Sequence, residues 1–192
     1  METSGTGPDR ELTEDTDIQP PEDGAGPLNH RVYSVQIHAP KHQAAALVEL
    51  FRRDPNAVGP SQLATFVPDP APDGLQVGDD IEVKIPGPWD GPIRVVAVTP
   101  DRIRFETRTG HMEAGWIEFR AKDHGEITEF VIESLARSGD PIFDSLYHRL
   151  HIAKYLQSEM WVQVLEGLLA ASGGTRHGRI QIQTTIYNGA DS

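Results

Sequence analysis

The segment 141-PIFDSLYHRLHIAKYLQSEMWVQVLEGLLAAS-172 has the pattern of one long amphipathic helix. Pro141 suits a first helical turn, and Gly173-Gly174 follow the last residue, where glycine commonly ends a helix. The apolar stripe is wide enough to lie against a sheet. It consists of Phe143, Leu146, Tyr147, Leu150, Ala153, Met160, Trp161, Val164, Leu165 and Leu168. The sequence therefore predicts a long C-terminal helix that packs on a sheet.

The sheet is predicted by five short segments that precede this helix. They are rich in β-branched and aromatic residues, and Gly-, Pro- or Asp-containing turns separate them, which is typical of an antiparallel meander. The segments are 81–86, 93–99, 102–108, 112–122 and 126–137. An earlier strand is predicted at VYSVQIH (32–38) and a helix over 41–55. The order is strand, helical region, meander and long helix, which is an α+β arrangement.

This order resembles the helix-grip fold of the START-like, or polyketide-cyclase-like (SRPBCC), superfamily. The resemblance covers about residues 30–172 and implies a curved antiparallel β-sheet wrapped around a long C-terminal helix, with a cavity between them. Within this superfamily, the chain is similar in its motifs to one subfamily, which is known as a domain of unknown function. The similar motifs are PGPW (86–89) followed by RVV, F-x-T, Gly110-His111-x-Glu113-x-Gly115, Phe119, and the helical Gln157 and Trp161. The segment GRIQIQTTIY (178–187) departs from that pattern.

Three regions are predicted along the chain. Residues 1–29 hold eight acidic residues against one base, Arg10, and scarcely any large apolar side chain. They cannot bury enough surface to offset the entropy of ordering, so we expect a disordered acidic N-terminal tail, either a partner-binding arm or a solubilising leader. A START-like helix-grip domain is expected over 30–172. A C-terminal extension with an extra strand is expected over 173–192.

Strand periodicity separates the two faces of the predicted sheet, because successive side chains point to opposite sides. Odd-numbered residues such as Ile81 and Ile103 are apolar, whereas their even-numbered neighbours are charged. The odd face is predicted to line a cavity against the long helix, and Trp116 lies on the other face. The candidate ligand-binding residues are Phe105, Thr107, Thr109, Tyr147, Gln157, Met160 and Trp161. A largely apolar cavity with a few polar groups suits a small hydrophobic or amphipathic ligand.

His111 and Glu113 are the candidate catalytic residues. They share the inward parity if the turn TGHMEAG preserves it, whereas a one-residue bulge at Gly110 or Gly115 would turn them outward. A carboxylate beside an imidazole fixes its tautomer and raises its basicity, and the resemblance implies proton transfer in cyclase- or dehydratase-like relatives. Two alternatives are that the pair contacts a ligand without catalysis, or that it holds the hairpin through backbone hydrogen bonds. Whether the protein is an enzyme therefore stays open.

The composition excludes several classes of chemistry. The chain has no cysteine, which removes disulfides, thiolate nucleophiles and Cys-ligated zinc. His148 and His151 share a helix face but lack a matching third ligand, so no metal is expected. The sequence has no GxSxG, P-loop, HExxH or dinucleotide-binding motif, and we expect no cofactor.

Charge and hydropathy limit the classes of partner that we expect the protein to bind. The net charge is -12 at pH 7 and no basic stripe is present, so nucleic acid is not expected as a partner. The N-terminus lacks a signal-peptide pattern and no apolar run is long enough to span a bilayer, so we expect a cytoplasmic protein without membrane insertion. A third functional hypothesis is a protein-interaction domain with a filled cavity. Its C-terminal strand 180–187 would pair with another chain, for instance in a homodimer.

Overall fold

The computed structural model describes residues 17–40, 43–59, 62–68, 70–85, 90–139 and 151–188. Within these ranges the chain forms an eight-stranded antiparallel sheet, two short helices and one long helix. The strands are β1 (Ala25–His38), β2 (Thr65–Val67), β3 (Asp80–Lys84), β4 (Asp90–Thr99), β5 (Arg102–Thr107), β6 (Glu113–His124), β7 (Ile127–Ser138) and β8 (Thr175–Tyr187). The helices are α1 (Ala44–Arg53), α2 (Pro55–Val58) and α3 (His151–Ser172), and a 3-10 helix spans Pro21–Asp23.

The strand order is β2-β3-β4-β5-β6-β7-β1-β8. Strands β3 to β7 form the predicted meander, and β1 adds to the far side of β7. The extra strand predicted in the C-terminal extension is β8, which pairs with the free side of β1. One row of inward side chains crosses five strands: Ile103, Phe119, Ile132, Tyr33 and Ile182. The predicted odd-inward parity therefore holds on β5 and β6, whereas in β4 a register shift between Val95 and Ala97 places the even-numbered Val98 opposite Ile103.

The helices cover the inward face of the sheet. Helix α1 buries Ala44, Leu47, Val48 and Phe51, which recur at helical spacing and give it one apolar side. Phe51 stacks on Phe119 of β6 with ring centroids 4.2 Å apart, and the edge of Trp161 on α3 meets Phe119 at 5.5 Å. Each such aromatic pair contributes about 1 kcal/mol beyond the area that it buries. Phe119 thus joins the sheet to both helices.

Helix α3 packs through the C-terminal part of the predicted stripe. Met160, Trp161, Val164, Leu165 and Leu168 are all buried. The helix ends before Gly173, whose φ of 67° lies in the left-handed region that favours glycine after a helix. The first part of the predicted helix, 141–150, lies outside the described residues, and this includes Tyr147. The backbone of Gln157 belongs to α3, but its side chain is also outside the described part of the chain.

Residues 17–29 are ordered, which corrects the prediction of a disordered tail across 1–29. Ile18 bridges Arg108, the 3-10 helix follows at Pro21–Asp23, and β1 already begins at Ala25. The prediction considered only how much apolar surface the segment could bury. The segment is instead held by backbone hydrogen bonds to strands that lie about ninety residues further along the chain. Residues 1–16 lie outside the described residues.

Candidate ligand-binding site

A cavity of about 190 Å³ lies between the inward face of the sheet and α3. Most of its wall is apolar: Leu63, Phe66, Val83, Ile85, Ile93, Phe105, Met112, Ile117, Phe119, Ala136, Met160 and Trp161. Polar side chains enter the wall at Thr107, His111, Glu113 and Ser134. Gly91, Glu106 and Trp116 complete the lining among the described residues. An apolar cavity with a few polar groups is the common form of a small-molecule site.

Six of the nine predicted site residues line this cavity. They are Phe105, Thr107, His111, Glu113, Met160 and Trp161. Thr109 does not: it is exposed, and its hydroxyl points to the carbonyl oxygen of Asp17 at 3.5 Å. Thr109 lies outside the lining because β5 ends at Thr107, so strand parity no longer applies two residues later. Tyr147 and the Gln157 side chain, the remaining two, fall in the part of the chain that is not described.

Sequence parity put Trp116 on the other face of the sheet but did not predict its contacts. Its ring lies under the guanidinium of Arg104, 4.1 Å from the ring centroid, and the residue also borders the cavity. A cation over an indole face is a favourable electrostatic contact. Trp116 therefore belongs to the rim of the cavity.

The imidazole of His111 is held by the backbone of its own turn. Nδ1 lies 2.9 Å from the Glu113 backbone nitrogen and 3.0 Å from the Glu113 carbonyl oxygen, so it accepts from the N–H in one tautomer and donates to the carbonyl oxygen in the other. Burial lowers the pKa of His111 below its usual value, and this outweighs the opposing effect of the nearby Glu113 carboxylate. The ring is therefore neutral at pH 7. Nε2 borders Gly91, where an added Cβ would lie only 3.1 Å from it.

The Glu113 carboxylate pairs with Arg31 of β1 and makes no hydrogen bond to the His111 ring. The two side chains are 7% and 16% exposed, and Nη1 of Arg31 lies 3.5 Å from Oε1 of Glu113. Sequence reasoning missed Arg31 as the partner of Glu113. The sequence does indicate that Arg31 faces inward, because it shares the odd parity of the buried Tyr33, Val35 and Ile37 in β1. A charged residue on an apolar strand face indicates a buried partner.

The segment Asp17–Gln19 holds the turn that carries His111 and Glu113. The Gln19 N–H donates to the carbonyl oxygen of Thr107 at 2.7 Å, and the Gly115 N–H donates to that of Gln19 at 3.0 Å. The Gln19 side-chain amide donates to the carbonyl oxygens of His111 and Glu113 at 3.3 and 3.2 Å. The segment therefore fills the gap where β5 and β6 diverge beyond the pair Glu106–Trp116.

Gly115 stays in register with β7, so no bulge turns Glu113 outward. The β6–β7 pairing runs without a shift from Glu113 to His124. Gly115 has a φ of 155°, and a Cβ there would lie 2.1 Å from the carbonyl oxygen of Leu135. Only glycine fits this close approach of two strands. The local geometry thus preserves the inward parity on which the site depends.

The described residues contain no group of three or more His, Asp or Glu side chains that could hold a metal ion. Among the described helices, none has the length and apolar character to cross a membrane.

No protein-family model matches the sequence, and no curated protein matches it either. Solved structures do match. Ginseng major latex-like protein 151 from Panax ginseng is similar with a TM-score of 0.52 at 13% identity, over 76% of this chain and 98% of that one. Hypothetical protein jhp0584 from Helicobacter pylori gives a TM-score of 0.52 at 10% identity, over 90% and 99%. The chain has the helix-grip fold.

DynU16, a protein of the dynemicin biosynthetic locus, matches with a TM-score of 0.47 at 13% identity over 72% of this chain. This chain spans only 46% of the length of DynU16. At such identities the helix-grip similarity establishes architecture, and the chemistry of the cavity must be argued from its own residues.

Proposed function

We propose that the protein binds a small, largely apolar molecule in the cavity between the sheet and α3, with the polar part of the ligand toward His111 and Glu113. The observation that carries the proposal is an apolar cavity of about 190 Å³ with its polar side chains among apolar walls. Leaving an apolar void of this size empty costs up to about 5 kcal/mol, at roughly 24 cal/mol per Å³. A bound apolar molecule would recover part of that free energy.

The geometry favours binding over the two alternative hypotheses. A protein-interaction domain was expected to have its cavity filled by side chains, whereas this cavity has room for a ligand. Proton transfer by a His111–Glu113 pair needs the carboxylate to act on the imidazole, but that carboxylate pairs with Arg31. The Gly110-His111-x-Glu113-x-Gly115 signature supports placing the chain in the subfamily known as a domain of unknown function.

A cavity-filling variant tests the proposal. Ala136 is buried in the cavity wall, so Ala136→Leu extends apolar atoms into the space that the ligand would occupy. Ala170→Leu adds the same atoms at an exposed position of α3 and serves as the matched control. Native mass spectrometry of freshly purified protein and titration with a lipophilic fluorescent probe would measure binding. We expect the probe to bind the wild type and the control, and Ala136→Leu to bind about tenfold more weakly or worse.

Two results would count against the proposal. A folded wild type that carries no bound species and binds no probe would reject ligand binding altogether. Equal affinity of Ala136→Leu and Ala170→Leu, with both variants folded, would place binding outside this cavity.

A further inference from the structure

The polar groups of the cavity indicate the chemical class of the ligand. We infer that the ligand is an uncharged molecule about the size of a substituted benzene ring, and that its hydroxyl group donates a hydrogen bond to the Glu113 carboxylate. This inference rests on the proposed function and adds to it the size, charge and polar group of the ligand.

The volume of the cavity limits the size of the ligand. An apolar cavity of about 150 Å³ holds one benzene molecule. The cavity here, at about 190 Å³, is larger by roughly the volume of one or two methylene groups. It therefore suits one ring with a short substituent, and it is too small to enclose a sterol or a long acyl chain.

Glu113 lines the cavity beside the part of its wall that β7 forms. Glu113 is on β6 and Arg31 is on β1, and β7 runs between these two strands. Their ion pair therefore crosses the inward face of β7, where Ser134 and Ala136 line the cavity. A carboxylate has about four lone-pair sites, so it can accept a further hydrogen bond while it is paired with arginine.

Charge balance favours a neutral ligand. Glu113 offsets the charge of Arg31, and Glu106, the other carboxylate of the lining, lies 3.9 Å from Arg104. No Lys or Arg is among the described residues that line the cavity. An anionic ligand would have to displace Glu113 from Arg31. A cationic ligand would bring a second positive charge next to that arginine in a poorly solvated site. Among the described lining residues, each carboxylate already has an arginine partner, so neither charged form of a ligand meets an uncompensated opposite charge.

His111 completes the recognition of a hydroxyl group. Nε2 is the ring nitrogen that borders Gly91 in the cavity wall, and it carries the proton in the tautomer whose Nδ1 accepts from the Glu113 N–H. A hydroxyl group can accept from Nε2–H and donate to the carboxylate at the same time. A methyl ether of the same ring can only accept, and a hydrocarbon can do neither.

A matched set of ring compounds tests the inference. 4-Ethylphenol, 4-ethylanisole, 4-ethylbenzoate and 4-ethylbenzylamine share the same ring and ethyl group, and they present a hydroxyl, an ether, an anion and a cation. Isothermal titration of the full chain at pH 7 would measure their affinities. We expect 4-ethylphenol to bind about tenfold more tightly than 4-ethylanisole, because hydrogen bonds to charged groups are the stronger kind.

Glu113→Gln should reduce the preference for the phenol over the anisole several-fold, since the amide keeps the shape but loses the charge. Glu118→Gln is the control, because Glu118 lies on the same strand, is buried and pairs with Arg102 and Arg120 on the opposite face of the sheet. The wild-type preference tests the inference by itself if Glu113→Gln does not fold.

Each contrary outcome has a distinct meaning. Equal binding of phenol and anisole, or a preference that survives Glu113→Gln in folded protein, would overturn the inference and leave the proposed function intact. Tightest binding of the benzoate would overturn it in favour of Arg31 as the anchor. Tightest binding of the benzylamine would overturn it in favour of a cationic ligand. If no compound binds folded wild-type protein, the inference falls together with the proposed function.

Discussion

Thr107→Val is expected to loosen the segment Asp17–Gln19, which holds the turn that carries His111 and Glu113. The Thr107 hydroxyl accepts from the Gly115 N–H at 2.9 Å and donates to the carbonyl oxygen of Gln19 at 2.8 Å. Valine keeps the shape of the side chain and removes both hydrogen bonds. The hydroxyl also lies 3.1 Å from the Gly115 carbonyl oxygen, and after the substitution the Gly115 N–H still donates directly to the Gln19 carbonyl oxygen. At about 1 kcal/mol for each bond, the expected loss is about 2 kcal/mol.

Urea unfolding monitored by tryptophan fluorescence would measure this loss. Thr109→Val is the matched control, because Thr109 is exposed and its hydroxyl only reaches the Asp17 carbonyl oxygen at 3.5 Å. We expect the control to change the free energy of unfolding by less than about 0.5 kcal/mol. For a chain of this length, the Thr107→Val loss corresponds to a melting temperature about 4–8 °C lower.

Hydrogen exchange would locate the effect. Peptides that contain Gln19 should exchange faster in Thr107→Val than in Thr109→Val, whereas peptides from β7 should not differ. The reasoning would be refuted if both variants unfolded at the same urea concentration as the wild type, or if the Gln19 amide were equally protected in both.

Two further predictions concern charged pairs. Arg31→Met should destabilise the protein by about 3 kcal/mol, because it removes the buried arginine that pairs with Glu113. Adding Glu113→Gln should restore part of the loss, and additive losses in urea unfolding would contradict the pairing. The hydrogen bond with Arg52 is the largest influence on Glu49 and lowers its pKa to about 2. A lowered pKa stabilises the fold above the unfolded value near 4.5, and this contribution is lost as pH falls toward 2. Since Glu49 is 38% exposed, solvent screening reduces this contribution to about 1 kcal/mol. Glu49→Gln should therefore be less stable than the wild type at pH 7, and the difference should shrink below pH 4.5 and close only as the pH approaches 2; a constant difference would contradict the linkage.

The order of the elements and the inward face of the sheet followed from local pattern. Strand periodicity placed Phe105, Phe119 and Glu113 on the same face, because a β-strand alternates its side chains whatever the strand pairs with. The helical spacing of Met160, Trp161 and Leu165 placed them on one side of α3 for the same kind of reason. These properties depend on residues that are close together along the chain, so the sequence by itself determined them.

Other features were decided only by the tertiary structure. The backbone of Gln19 bonds to Thr107 and Gly115, and main-chain hydrogen bonds leave little trace in the side-chain pattern, which is why the segment resembled a disordered tail. Arg31 meets Glu113 across 82 positions of sequence, and parity could place each residue on a face without naming its partner. The assignment of Glu113 to Arg31 instead of His111, and with it the chemistry of the cavity, arises only when β1, β7 and β6 lie side by side.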